Sequence, residues 1–169
     1  MEQEFIIDKL TNSILNTISG DSFQTEIIQL GTSDIPLLAK ENGWNFDWFK
    51  EYRDLKKEVY KLSIANNPKI IQGLISLSIE NDYIYINLLE SAPFNIGKKK
   101  LYEGVPGNLV AFACKLAFQK GFDGYVAFVA KSKLIKHYEE SLGAFHFGNQ
   151  RMIIDTQAST RLVEKYFKE

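Results

Sequence analysis

GVPGNLVAFACKLAFQKGFDGYVAFVA, residues 104–130, reads as a glycine turn, a buried helix, a glycine stop and a buried strand. Gly104-Val-Pro-Gly107-Asn108 carries two glycines and a proline, which interrupt regular structure and suit the start of a helix. Beyond it, Leu109, Val110, Phe112, Ala113, Leu116, Ala117 and Phe118 leave almost no polar face, so the helix running to Lys120 should lie buried on a sheet. Gly121 is its expected C-terminal stop. Tyr125 to Ala130 is a short apolar run, the pattern of a strand covered on both faces.

Strand periodicity dominates the residues before this stretch. Val59 to Ala65, Ile70 to Ile79 and Tyr83 to Glu90 alternate apolar and polar positions and are separated by Asn66-Asn67-Pro68 and Asn81-Asp82, which predicts an antiparallel meander. After it, Ser132 is placed to cap a helix over Lys133 to Leu142, ended by Gly143. Phe145 to Phe147 and Arg151 to Asp155 read as a strand pair, and Thr156 to Phe167 as a closing helix. Towards the N-terminus, Ile7, Leu10, Ile14 and Ile18 fall near helical spacing and predict a helix over Phe5 to Ile18. Thr25 to Leu30 reads as a strand, Asp34 to Glu41 as a helix capped by Ser33, and Asp47 to Lys57 as another helix. The order implies a mixed α/β (α+β) sheet with helices on both faces and a right-handed β-α-β crossover through the buried helix.

The chain has 169 residues, 45% of them apolar, which is one domain's worth of core. Lys plus Arg is 20 and Asp plus Glu is 21, so no general attraction to nucleic acid or to an anionic membrane is expected. No apolar run approaches the roughly 20 residues that cross a bilayer. The start MEQEFIIDKL lacks the basic region of a signal peptide, so a cytoplasmic protein is expected. Cys114 is the one cysteine and sits in the apolar helix, where it reads as a small core residue. His137 and His146 have no metal-ligand spacing, so no metal is expected.

The glycine turn before the helix is the main chemical feature. Backbone N–H groups at a helix start converge, the helix dipole adds partial positive charge, and glycines let a ligand approach, which together make an anion site. Lys98, Lys99 and Lys100 lie just upstream. A glycine turn is more often only a turn, and a lysine run only a solvated loop. The pattern is neither a P-loop nor a dinucleotide fingerprint.

Residues 104–130, followed by KHYEESLGAF at 136–145 and preceded by LLESAPFN at 88–95, resemble the GNAT superfamily of acyl-CoA N-acyltransferases over roughly Val59 to Asp155. The usual pyrophosphate-loop pattern is altered here, with Leu101 and Pro106 at two of its positions, and Lys131 replaces an asparagine common in the family. The resemblance implies a single GNAT-like domain over 1–169. Residues 1–57 would be a variable acceptor-side part, 58–155 the acyl-CoA-binding core and 156–169 a C-terminal helix. It implies a mostly antiparallel sheet in which the strand ending near Glu90 and the strand Tyr125 to Ala130 form a splayed parallel pair.

The same resemblance implies an acetyl-CoA-dependent N-acetyltransferase, or one using another acyl-CoA. The cofactor's arm would lie along Leu88, Leu89 and Ser91, and its pyrophosphate on Gly104, Val105, Gly107 and Asn108 with help from Lys100. Attack by a neutral amine on the thioester expels a thiolate that needs a proton. Tyr138 holds the family's position for that acid, and Glu90 is the candidate base, with Asp82 and Glu80 behind it. Asn95 and Trp48 are candidate substrate contacts. Each has a plain structural alternative: a packed tyrosine, a strand-end carboxylate, a turn asparagine, a core tryptophan. The acceptor would be a small-molecule or protein amine, and monomer and homodimer both stay open. The alternative function is a catalytically silent GNAT-like module that binds acyl-CoA or a protein partner.

Overall fold

A computed structural model describes residues 1–9 and 11–167. Residues 13–30 form β1 (Ile14–Asn16), β2 (Ser22–Phe23) and β3 (Thr25–Gln29). Two 3-10 turns, Thr32–Leu38 and Lys40–Asn42, lead to α1 (Trp48–Arg53). The meander follows as β4 (Glu58–Ile64), β5 (Gly73–Ile79) and β6 (Ile84–Ser91), then β7 (Tyr102–Glu103) and α2 (Val105–Gln119). The chain ends with β8 (Val126–Val129), α3 (Ile135–Leu142), β9 (Phe145–His146), β10 (Arg151–Ile154) and α4 (Thr156–Tyr166).

Seven strands form one sheet in the order β3-β4-β5-β6-β8-β10-β9, and β2-β1-β7 form a small antiparallel sheet. In the large sheet every pairing is antiparallel except β6 with β8. That parallel pair is short: Ile84 faces Val126 and Tyr85 faces Ala127, and the ladder stops there although β6 runs on to Ser91. A β-bulge in β6 sits just beyond, where Ser76 faces Leu88 but Leu77 faces Ile86, leaving Asn87 as the extra residue. A bulge switches which face later side chains use. Ile84 and Ile86 join the core under α2, whereas Leu88 joins the opposite cluster with Trp48, Leu74 and Val59.

α2 is buried along most of its length, between β5 and β6 on one side and α4 on the other, as its nearly continuous apolar surface requires. On the other face, α1 and the 3-10 turns bury Trp44, Trp48 and Leu38. Asp47 and Asp155 cap α1 and α4 by accepting from the N–H groups of Lys50 and Ala158. Lys61 on β4 and Asp34 form an ion pair of 2.7 Å with both side chains buried, tying the first 3-10 turn to the sheet. Among the described residues no helix is long and apolar enough to cross a membrane.

Several N-terminal expectations are corrected. No helix spans Phe5 to Ile18: residues 5–9 are irregular, Ile14 is in a strand, Ile18 is exposed, and Leu10 lies outside the described residues. Phe5, Ile7 and Ile14 are all buried, but by different neighbours along an open segment rather than on one helix face. The expected helix from Asp34 is the 3-10 turn Thr32–Leu38, with Gly31 as its N-cap and Ser33 inside it, and Asp34 closes back on the Gly31 N–H at 2.9 Å. The helix expected over Asp47 to Lys57 is shorter, ending at Arg53.

Candidate functional site

The short β6–β8 ladder leaves a gap between the C-terminal parts of the two strands, and the chain's own N-terminus fills it. Gln3 donates its N–H to the Val129 carbonyl at 2.6 Å and accepts from Lys131 N at 3.0 Å, continuing β8 as a parallel neighbour of Ala130. Its side-chain amide crosses to β6 and donates to the carbonyl of the bulged Asn87 at 2.7 Å. Phe5 then packs against Phe128 and Tyr138, with ring centroids 5.7 and 4.9 Å away. The Ile7 N–H donates to His137 Nε2 at 3.0 Å.

The segment next reaches the glycine turn. Asp8 Oδ1 accepts the Gly104 N–H at 2.9 Å, and Asp8 Oδ2 pairs with Lys100 Nζ at 2.8 Å. An anion thus already sits where the helix start and Lys100 attract one. Both glycines are needed, but for close approach of this chain itself. Gly104 has φ +101°, and a Cβ there would lie 2.9 Å from the Ser13 carbonyl. At Gly107 a Cβ would collide with the Tyr166 hydroxyl and lie 2.8 Å from the Lys9 carbonyl, to which that hydroxyl donates. Asn108 donates its side-chain amide to the carbonyls of Gly104 (2.7 Å) and Ser13 (3.2 Å), clamping the turn. Val105 is buried.

Tyr138 is fully buried on the wall of the gap, where its hydroxyl donates to the Phe5 carbonyl at 2.7 Å. Burial pushes its phenol above the ordinary tyrosine value, and the Glu4 carboxylate adds to this. Glu90, displaced to the α1 face beyond the bulge, is buried and accepts from Asn45 N and Trp48 Nε1, both at 2.7 Å, and from Phe46 N at 3.4 Å. Its position makes it the anchor of the loop before α1. Leu88 and Leu89 are buried, and Ser91 pairs with Gly73 at the strand end. Asp82 and Glu80 sit in the turn before β6, at the far end from the gap.

The two candidate substrate contacts are structural in their surroundings. Trp48 has no exposed surface. Asn95 donates to both the carbonyl and the side chain of Gln72 and accepts from Tyr102 N, holding β7 against the strand ends. What the sequence reading missed is Gln3, Phe5, Ile7 and Asp8. The only local signal was the acidic, apolar start EQEFIID, which carries no motif. A groove of about 510 Å³ runs along β8 from Tyr83 and Tyr85 at the paired end to Phe128 and Val129, the residues that Phe5 and Gln3 contact, with Phe147 and Arg151 on its other side.

No family model matches the sequence, and no curated protein does. Solved structures do. Spermidine N-acetyltransferase SpeG from Vibrio cholerae, in complex with CoA and spermine, superposes with TM-score 0.56 at 16% identity over 81% of this chain and 98% of that one. A SpeG chimera gives 0.60 at 18% identity over 81% and 98%. AtaTR bound with AcCoA gives 0.58 at 16% identity over 82% and 97%. The chain has the GNAT fold. The GNAT sheet, with its one short parallel pair and a glycine-led helix between those strands, is thus the architecture the motifs at 88–95, 104–130 and 136–145 implied.

Whether acyl-CoA fits this GNAT fold is decided by residues 3–9. The strand edge at the gap is bonded to Gln3, and the helix start is bonded to Asp8. With that segment in place, the Gly104 N–H and Lys100 already hold a carboxylate and the Val129 and Asn87 carbonyls already accept from Gln3.

Proposed function

We propose that this chain transfers an acetyl group from acetyl-CoA to an amine. The observation that carries the reading is the open end of the β6–β8 pair with the Gly104-led start of α2 beside it, in a GNAT-type fold. In this reading Lys100, Gly104, Val105, Gly107 and Asn108 form the anion-binding end, and the backbone of Leu88, Leu89 and Ser91 lines the strand edge. Tyr138, on the wall of the gap, is the proton donor. Glu90 has a positioning role: by fixing Asn45 and Trp48 it shapes the loop beside the gap.

The acceptor is an amine. Spermidine and spermine are the first probes because the SpeG structures name them. Release of the CoA thiol, followed across a panel of polyamines, amino acids and peptides, tests the reading. Turnover with any amine that is slowed by Tyr138→Phe supports it. Acetyl-CoA binding without turnover on any amine favours the second reading, a catalytically silent module. One observation favours that alternative: both ends of the gap are filled by the chain itself.

A further inference from the structure

We propose that residues 1–9 are a built-in plug that competes with acyl-CoA for the gap between β6 and β8 and must swing out before the site can fill. The inference rests on the acyl-CoA reading above. It follows from what the segment touches. Gln3 satisfies the free strand edge, Phe5 fills the space beside Tyr138 and caps its hydroxyl, and Asp8 puts a carboxylate on the Gly104 N–H and Lys100. From Gln3 to Asp8 an extended chain covers at most about 18 Å. Within that length it presents amides at the strand gap and an anion at the helix start, the same order of groups that a pantetheine diphosphate would present.

The Gly104 backbone has one N–H, and Asp8 takes it, so a diphosphate that takes that N–H displaces Asp8. The segment is suited to leave. On its C-terminal side it is held where Ile14 to Asn16 pair with β2 and β7. Its departure opens no strand of the large sheet, because Gln3 makes only an isolated bridge. Some of its anchors are modest: the Glu4–Lys131 pair at 2.7 Å is solvent-exposed. A site available only in the open fraction binds with an apparent dissociation constant raised by that fraction. Weakening the plug therefore tightens acyl-CoA binding, a direction opposite to that of damaging a binding site.

The test uses the full chain. Wild type, Asp8→Ala and Phe5→Ser are titrated with acetyl-CoA by calorimetry, and amide hydrogen exchange is followed at Gln3 and Ile7 with and without ligand. Gln3→Pro, which deletes the N–H that donates to Val129 and leaves Ile7 as the amide to follow, replaces Phe5→Ser if the latter does not fold. The expected result is binding on the order of tenfold tighter in the variants, with acetyl-CoA exposing the Gln3 and Ile7 amides of wild type while β4 and β5 stay protected. Equal affinity in all chains with Gln3 and Ile7 still protected overturns the plug and leaves the acetyltransferase reading standing. Amides that stay protected in both variants make the segment a permanent strand and also overturn the plug. Amides that open in the variants, with no acetyl-CoA binding by any chain, overturn the acyl-CoA reading and the plug with it.

Discussion

Replacing Glu90 by alanine removes the acceptor shared by Asn45 N, Phe46 N and Trp48 Nε1. The Phe46 contact is long at 3.4 Å and counts for little. Asn45 is exposed, so water can replace the carboxylate at its N–H. Trp48 has no exposed surface, so its indole N–H stays unpaired in an apolar cluster. An orphaned buried donor costs about 1–3 kcal/mol, and the hydrogen bonds to a charged partner that are lost add about 1.5 kcal/mol or more. Glu90→Ala should therefore cost about 3 kcal/mol, and Glu90→Gln, which keeps one carbonyl oxygen, about half of that. Urea unfolding at constant slope measures both, and a Trp48→Phe background should remove most of the cost of Glu90→Ala in a double-mutant cycle. A Glu90→Ala chain within about 0.5 kcal/mol of wild type would refute the anchoring role. The combination of undiminished stability with abolished turnover would return Glu90 to general base.

Tyr138→Phe keeps the ring packing on Phe5 and Phe128 and loses one hydrogen bond, so stability should fall by about 1 kcal/mol. Under the proposed function its turnover drops by about 10²-fold without vanishing, read from CoA release. Asp34→Ala leaves the Lys61 ammonium buried without its carboxylate and should cost about 3–5 kcal/mol in a thermal or urea melt. Adding Lys61→Met should recover most of that loss, and failure to recover would show that Asp34 acts mainly through its bond to Gly31. Stability should also fall as pH rises above about 9. Burial raises the Tyr138 and Tyr166 phenols and pushes the Cys114 thiol up to about 12, so the folded chain keeps protons that the unfolded chain releases. Each such group costs about 1.4 kcal/mol per pH unit within its window. Urea midpoints that stay level between about pH 8 and about pH 10.5 would count against it.

The parts of the molecule legible in the sequence are those whose burial is local. α2 shows as an apolar helix because it is covered on nearly every side, and its ends show as glycines. β4, β5 and β6 alternate because they pair with sequence neighbours across short turns. The N-terminal spacing misleads because it cannot tell a helix face from an open segment whose apolar residues meet different partners. Ile7 and Ile14 match the spacing of a helix face but join the core at different elements. Asn87 carries no bulge signature, yet its insertion moves Leu88 to the face opposite α2.

The sequence by itself determined the order of most elements from β3 onward, the glycine-led start of α2 and the motif that places Tyr138 on α3, because each depends on residues within about one element's length. It allowed a close approach at Gly104 and Gly107, although such a turn reads more often as a turn alone, and the structure shows that approach at both glycines. Which groups approach was decided by tertiary structure alone. Those groups are Asp8, Lys9 and Ser13, some 90 residues or more away in sequence, and Tyr166 on α4, and no periodicity or motif links them to the turn. Bringing them together requires β1 to pair with β7 and Gln3 to find the gap beside β8, and both follow from long-range pairing of backbone groups that look alike in every sequence.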